Sequence, residues 1–226
     1  LIQRVLAIPS KRCTRKQVCH LTREEGEALL AAPDRTTWSG RRDHVLLLLA
    51  VQTGLRLSEI TGLRATDIRL GTGAHVHVLG KGRKERCTPL AKQTQAVLRS
   101  WMSSDLGSEP VILFPSARGS RLSADGVQYL VAKHVATAGR ACPSLTRKRV
   151  TPHVLRHTTA MELLQAGVDR SVIAMWLGHE SLETTQIYLD ADLTLKERVL
   201  DKVAPPSVQA RRYRPEDKLM AFLSAL

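Results

Sequence analysis

The stretch Asp67–Leu90 reads DIRLGTGAHVHVLGKGRKERCTPL, and within it the hydrophobic period of the chain changes from helix-like to two. Asp67–Leu70 reads as a first strand, His75–Leu79 as a second and Glu85–Leu90 as a third. Alternation of apolar and polar side chains is the signature of a half-buried strand. Gly80-Lys81-Gly82-Arg83-Lys84 joins the last two as a hairpin turn rich in glycine and positive charge. Pro89 places the third strand at an edge, because proline has no N–H for an inner ladder.

Outward from this segment the pattern is helical on both sides. Upstream, Thr22 and Glu25 form a capping box that opens a helix running to about Ala32, where Pro33-Asp34 ends it. A second helix spans about Arg41 to Gln52 and stops at Thr53-Gly54; its HVLLLLAV run reads as a buried segment. A short helix follows over Leu57–Leu63, closed by Gly62. Downstream, helices are expected at about Thr94–Ser103 and Ser123–Thr137, then a basic, loop-like stretch from Gly139 to Val150. Thr151-Pro152 supplies an N-cap and a first-position proline for a helix ending near Gly167. Asp169 caps the next helix, which Gly178 ends. Further helices are expected from about Thr184, carrying Tyr188, and to about Val203; Pro205-Pro206 then breaks the chain before a last helix, Pro215–Leu226. The predicted class is mainly α with a small three-stranded antiparallel β-sheet, an α+β fold.

Composition narrows the partners. The 226 residues carry 34 Lys and Arg against 21 Asp and Glu, a formal charge of +13. Such an excess points to a polyanion, since each neutralised phosphate releases counterions and strengthens binding. A soluble basic protein with no such partner is the bland alternative. No apolar run is long enough to span a membrane, and no basic helix has an aromatic face to lie on one. Leu1–Ile8 has no cleavage site after it and does not read as a signal peptide; the absence of an initial Met suggests a chain trimmed from something longer. Cys13, Cys19, Cys87 and Cys142 form no C-x-x-C pair, which argues against zinc and for free thiols in a reducing compartment.

Four segments carry candidate chemistry. In TGLRLSEI, Arg56 stands where a glycine turn meets a helix start, placed either to fork onto a phosphate or to pair with Glu59. Lys81 at the hairpin tip reads either as a general acid reaching into a groove or as a solvated charge. In HVLRH, His153 and Arg156 are three apart on a first helical turn and share a face, beside an N-terminus that favours anions. In LGHESLETTQIY, His179 follows a helix end and Tyr188 lies nine residues on. A nucleophilic tyrosine needs nearby positive charge to stabilise its phenolate; a lone tyrosine is more often packing.

In order and spacing, these four segments resemble the signature boxes of the tyrosine recombinase, or phage integrase, family, in its bacterial Xer and integron-integrase flavour. The resemblance covers about Leu21 to Val203. It implies a catalytic domain whose Tyr188 attacks a scissile phosphate to give a 3′-phosphotyrosyl link. Arg56 and Arg156 would clamp the non-bridging oxygens, Lys81 would protonate the leaving 5′ oxygen, His153 would assist proton transfer, and His179 would hydrogen-bond the phosphate. It implies no cofactor and no metal. The partners it implies are double-stranded DNA and other copies of the chain, as a homotetramer exchanging C-terminal helices, in the bacterial cytoplasm and at the nucleoid when acting. The expected function is site-specific recombination in the integration or excision of a mobile element, with a type IB topoisomerase-like enzyme or a non-catalytic DNA-binding module as alternatives. Residues 1–20 are expected to be a basic interdomain linker, 21–203 the catalytic domain, and 204–226 a linker and C-terminal helix docking in cis or in trans. Relatives carry a further DNA-binding domain ahead of this one, where this sequence has only the basic stretch.

Overall fold

A computed structural model describes residues 18–80, 85–104, 106 and 112–178, all within the first of the chain's two units, Leu1–Ala191. Seven helices and one sheet are present among them. Upstream of the sheet lie α1 (Arg23–Ala31), α2 (Trp38–Thr53) and α3 (Leu57–Gly62). The sheet is β1 (Ile68–Arg69), β2 (His75–Leu79) and β3 (Glu85–Pro89). Downstream lie α4 (Lys92–Ser104), α5 (Ala124–Ala138), α6 (Pro152–Gln165) and α7 (Arg170–Leu177).

The core is organised around α2, which is buried on nearly every face from Arg42 to Val51. It packs against α1, α4 and α6. The helix begins three residues before the expected Arg41, because Thr37 caps it through a 3.0 Å hydrogen bond from the Gly40 N–H. Trp38-Ser39-Gly40 lacks an apolar period, so the sequence pattern does not signal this first turn. Three buried polar side chains tie α2 to its neighbours. Arg42 donates to Asp43 Oδ1 and to the Pro115 carbonyl, while His134 of α5 meets Asp43 Oδ2 at 2.8 Å. A buried carboxylate is tolerated when its lone pairs are filled in this way.

The sheet is antiparallel in the order β1-β2-β3, with register from His75 opposite Pro89 to Leu79 opposite Glu85. β3 is thus an edge strand, as Pro89 required. Val76, Val78 and Thr88 turn inward, against solvent-facing alternates. The segment before α6 is not all loop, as expected, but holds a 3-10 turn over Pro143–Arg147. A turn built from i→i+3 bonds has no amphipathic period to announce it. Helix ends fall where the caps lie: Thr22 and Glu25 form the capping box of α1, Thr151 caps α6 with Pro152 at its first turn, and Asp169 caps α7. No helix among the described residues is long and apolar enough to cross a membrane.

Candidate active site

Arg56 is placed by a turn and a carboxylate. α2 ends at Gly54, whose left-handed backbone (φ 63°, ψ 31°) reverses the chain at little steric cost. Arg56 then stands extended before α3, and its N–H donates to Glu59 Oε2 at 2.7 Å. Its guanidinium donates to Glu59 Oε1 at 3.2 Å and to the Gly178 carbonyl at 2.6 Å. The pairing with Glu59, one of two readings open in the sequence, is therefore real. It does not bury the residue: the side chain remains 37% exposed and lines a hollow.

His153 and Arg156 come from the first turn of α6 and line the same hollow. Arg156 is buried, donating to the Gly54 carbonyl at 2.6 Å and the Leu177 carbonyl at 2.7 Å. Both arginines are thus seated on carbonyls at the C-terminal ends of α2 and α7, where helix dipoles favour cations. His153 faces outward, and burial followed by the Arg156 charge lowers its pKa from the ordinary histidine value. The ring of His157 meets it edge-on, with centroids 4.3 Å apart. Burial, then the charges of His153, Arg156 and His20, push His157 down to about 4. At neutral pH both rings are uncharged, so His153 can accept a proton.

The hollow has a volume of about 910 Å³. Among the described residues, three arginines line it, Arg56, Arg121 and Arg156, and no carboxylate does. The starts of α5 (Ser123, Ala124) and α6 (Thr151, Pro152) also open into it. Guanidiniums and helix N-termini that line one space suit a phosphate. Among the described residues no cluster of three or more His, Cys, Asp or Glu could hold a metal ion, and Cys19, Cys87 and Cys142 are free thiols.

Of the six residues singled out by sequence, Arg56, His153 and Arg156 are brought together. Lys81, His179 and Tyr188 lie outside the described residues, as does the expected C-terminal helix. Two residues that the sequence reading passed over belong to this neighbourhood. Arg121 sits at the rim and donates to Thr61 Oγ1 at 2.7 Å. Arg86 of β3 grips Glu59 with both terminal nitrogens, at 2.8 and 2.7 Å. Strand alternation carried a signal for the second: Arg86 shares the inward face of β3 with buried Thr88. Nothing in the local pattern marked Arg121.

Comparison with known proteins matches this arrangement to one family. The sequence model of the phage integrase family matches residues 20–194. A chain of Sinorhizobium fredii carrying the name integrase/recombinase y4rC is 66% identical over 225 residues, covering 100% of this chain and 68% of that one. Tyrosine recombinase XerC of Pelobacter propionicus is 36% identical over 199 residues, covering 88% of this chain and 63% of that one. Among solved structures, XerA recombinase superposes with a TM-score of 0.72 at 28% identity, covering 88% of this chain and 68% of that one. XerH recombinase bound to its palindromic difH substrate superposes at 0.70 with 29% identity, covering 82% and 53%. The chain spans less than two thirds of the XerC relative and about half of the XerH chain. A match over most of its length, on a fold shared with these recombinases, shows that the chain belongs to the phage integrase family and forms a tyrosine recombinase catalytic domain.

Proposed function

We propose that this chain cleaves and rejoins double-stranded DNA at specific sites through a covalent phosphotyrosine at Tyr188. The observation that carries this reading is the convergence of Arg56, His153 and Arg156 on one hollow that Arg121 also lines. The Tyr188 oxygen attacks the scissile phosphorus, its phenolic proton passing to neutral His153. The bond from phosphorus to the 5′ oxygen breaks, and Lys81 protonates that oxygen as it leaves. Arg56 and Arg156, with a hydrogen bond from His179, hold the non-bridging oxygens while charge builds on them; fixed donors of this kind supply much of the rate in such reactions. A 5′-hydroxyl from a second strand then attacks the phosphotyrosine and expels Tyr188. The ester bond is exchanged, not hydrolysed, so no external energy source enters the cycle.

In this reading four copies act on two DNA sites, and the apolar stripe Leu219, Met220, Phe222 and Leu223 docks the C-terminal helix on a neighbour. Residues 1–20 are the linker from a preceding DNA-binding domain. The reaction takes place in the cytoplasm, at the nucleoid, and serves the integration or excision of a mobile element. The relatives named as integrase and recombinase support this, as do the XerH structures solved with difH DNA.

The test is covalent trapping. Nicked suicide duplexes built on the sequences flanking the gene are incubated with the protein and resolved on a denaturing gel, with Tyr188→Phe alongside. A DNA-linked band in the wild type that is absent from the variant is expected. Duplex binding with no adduct would overturn the catalytic reading in favour of a DNA-binding module.

A further inference from the structure

Four groups close a ring behind the hollow. Arg86 is only 10% exposed and takes both oxygens of Glu59, itself 5% exposed. Glu59 also accepts the Arg56 N–H and meets the Arg56 guanidinium at 3.2 Å, the longest of its contacts. Arg56 then donates to the Gly178 carbonyl. Gly178 closes the ring over Arg86: a β-carbon there would lie 2.9 Å from Arg86 Nη1. Its left-handed backbone (φ 66°) and this close approach both call for glycine.

Competition for one carboxylate is the physical content of this ring. Glu59 faces two guanidiniums, one buried and one opening into the hollow. Charge-assisted, two-pronged contacts are the stronger kind, so the carboxylate is held chiefly by Arg86. Burial raises the Glu59 pKa, but the Arg86 hydrogen bonds, then the Arg56 N–H and the two arginine charges, outweigh it and keep the carboxyl ionised. Without Arg86, a buried anion would have only Arg56 to neutralise it, and would draw that guanidinium into an in-line, two-pronged pair of its own.

We infer that Arg86 is a positioning residue: by occupying both oxygens of Glu59 it keeps the Arg56 guanidinium turned toward a phosphate in the hollow. The inference rests on the proposed role of Arg56. It also gives β3, the strand that follows Lys81 in sequence, a direct hold on the arginine of another segment.

The experiment is a double-mutant cycle on the full chain, comparing Arg86→Met, Glu59→Gln and the two combined, with Arg86→Lys as a milder variant. Each is measured for single-turnover adduct formation on the suicide duplex, for duplex affinity and for thermal unfolding. Arg86→Met is expected to lower the cleavage rate about 100-fold, the scale of losing one transition-state donor. Adding Glu59→Gln should restore at least about tenfold of it, because the amide still accepts the Arg56 N–H yet no longer attracts its guanidinium. A purely structural role predicts the opposite, a double variant no better than Arg86→Met. That outcome, or Arg86→Met cleaving within twofold of the wild type, overturns the inference. If Arg86→Met does not fold, Arg86→Lys, which reaches one oxygen, must show a smaller loss in the same direction, reversed by adding Glu59→Gln. A wild type that binds duplex without forming an adduct would sink the strand-cleavage reading alone. Duplex affinity, falling in Arg86→Met and regained in the double variant, would still decide the role of Arg86.

Discussion

At the scale of single residues, the histidines of α6 separate by burial. His153 reaches the hollow, whereas His157 packs behind it with its pKa pushed down to about 4 from an ordinary 6.5. The unfolded chain therefore takes up this proton first as pH falls, and the folded chain resists it. Stability contributed by neutral His157 is fully present above about pH 6.5 and is lost as pH drops toward 4. His153 acts in the same direction, since its pKa is also lowered. Urea midpoints measured across that window should fall with pH in the wild type and fall less steeply in His157→Gln. Equal slopes would show that His157 titrates normally. The placement of these residues is partly legible in the sequence: the spacing of His153 and Arg156 announces a shared face, and both line the hollow. For Arg56 the sequence offered phosphate or Glu59 as alternatives. The geometry shows why it could not choose, because Arg56 contacts Glu59 and faces the hollow at once. What decides the matter is Arg86, thirty residues away in sequence, and no local pattern reports such a partner.

At the scale of elements, what the sequence announced were the caps. Thr22 with Glu25, Thr151 with Pro152, Asp169 and Gly178 each bound a helix where their side chains or backbone satisfy terminal groups. What it hid were the ties between elements. Lys148 stands in the basic, loop-like stretch before α6, where no local pattern names a partner for it. Its ammonium bonds Glu25 of α1 at 2.6 Å and the His20 carbonyl at 2.9 Å, while Ser144 fills the other Glu25 oxygen. The Leu21 N–H meanwhile bonds Thr158 Oγ1 of α6. The start of the domain is thus tied to the helix that carries His153 and Arg156. Lys148→Met leaves a carboxylate that is 2% exposed without its cation, though still bonded by Ser144 and the Thr22 N–H, and should cost roughly 3 kcal/mol in chemical denaturation, the scale of breaking a buried pair. Replacing both partners, Glu25→Leu with Lys148→Met, should recover much of that loss. If both variants lose the same stability, the pair is only a surface contact.

At the scale of the whole molecule, the +13 charge divides into an internal and an external share. Arg42 answers Asp43, Arg86 answers Glu59 and Lys148 answers Glu25, all with carboxylates buried beneath them. These cations neutralise the interior and have little field left to offer a polyanion. Arg121 is of the other kind: it is exposed, lines the hollow, and its hydrogen bonds run to the neutral acceptors Thr61 Oγ1 and the Ser58 carbonyl. Composition alone cannot separate the two groups, because both count equally toward net charge. Salt titration can. Each phosphate neutralised on a duplex contributes about −0.9 to the slope of log affinity against log salt concentration. Arg121→Gln should therefore make the slope shallower by about one while weakening binding uniformly across DNA sequences. Lys148→Gln, measured at a temperature where it remains folded, should leave the slope unchanged. A shallower slope in both variants would mean that the pre-α6 segment also meets DNA and that its lysine serves two anions. An unchanged slope in both would move the phosphate path off the Arg121 side of the hollow and onto the His153 side alone.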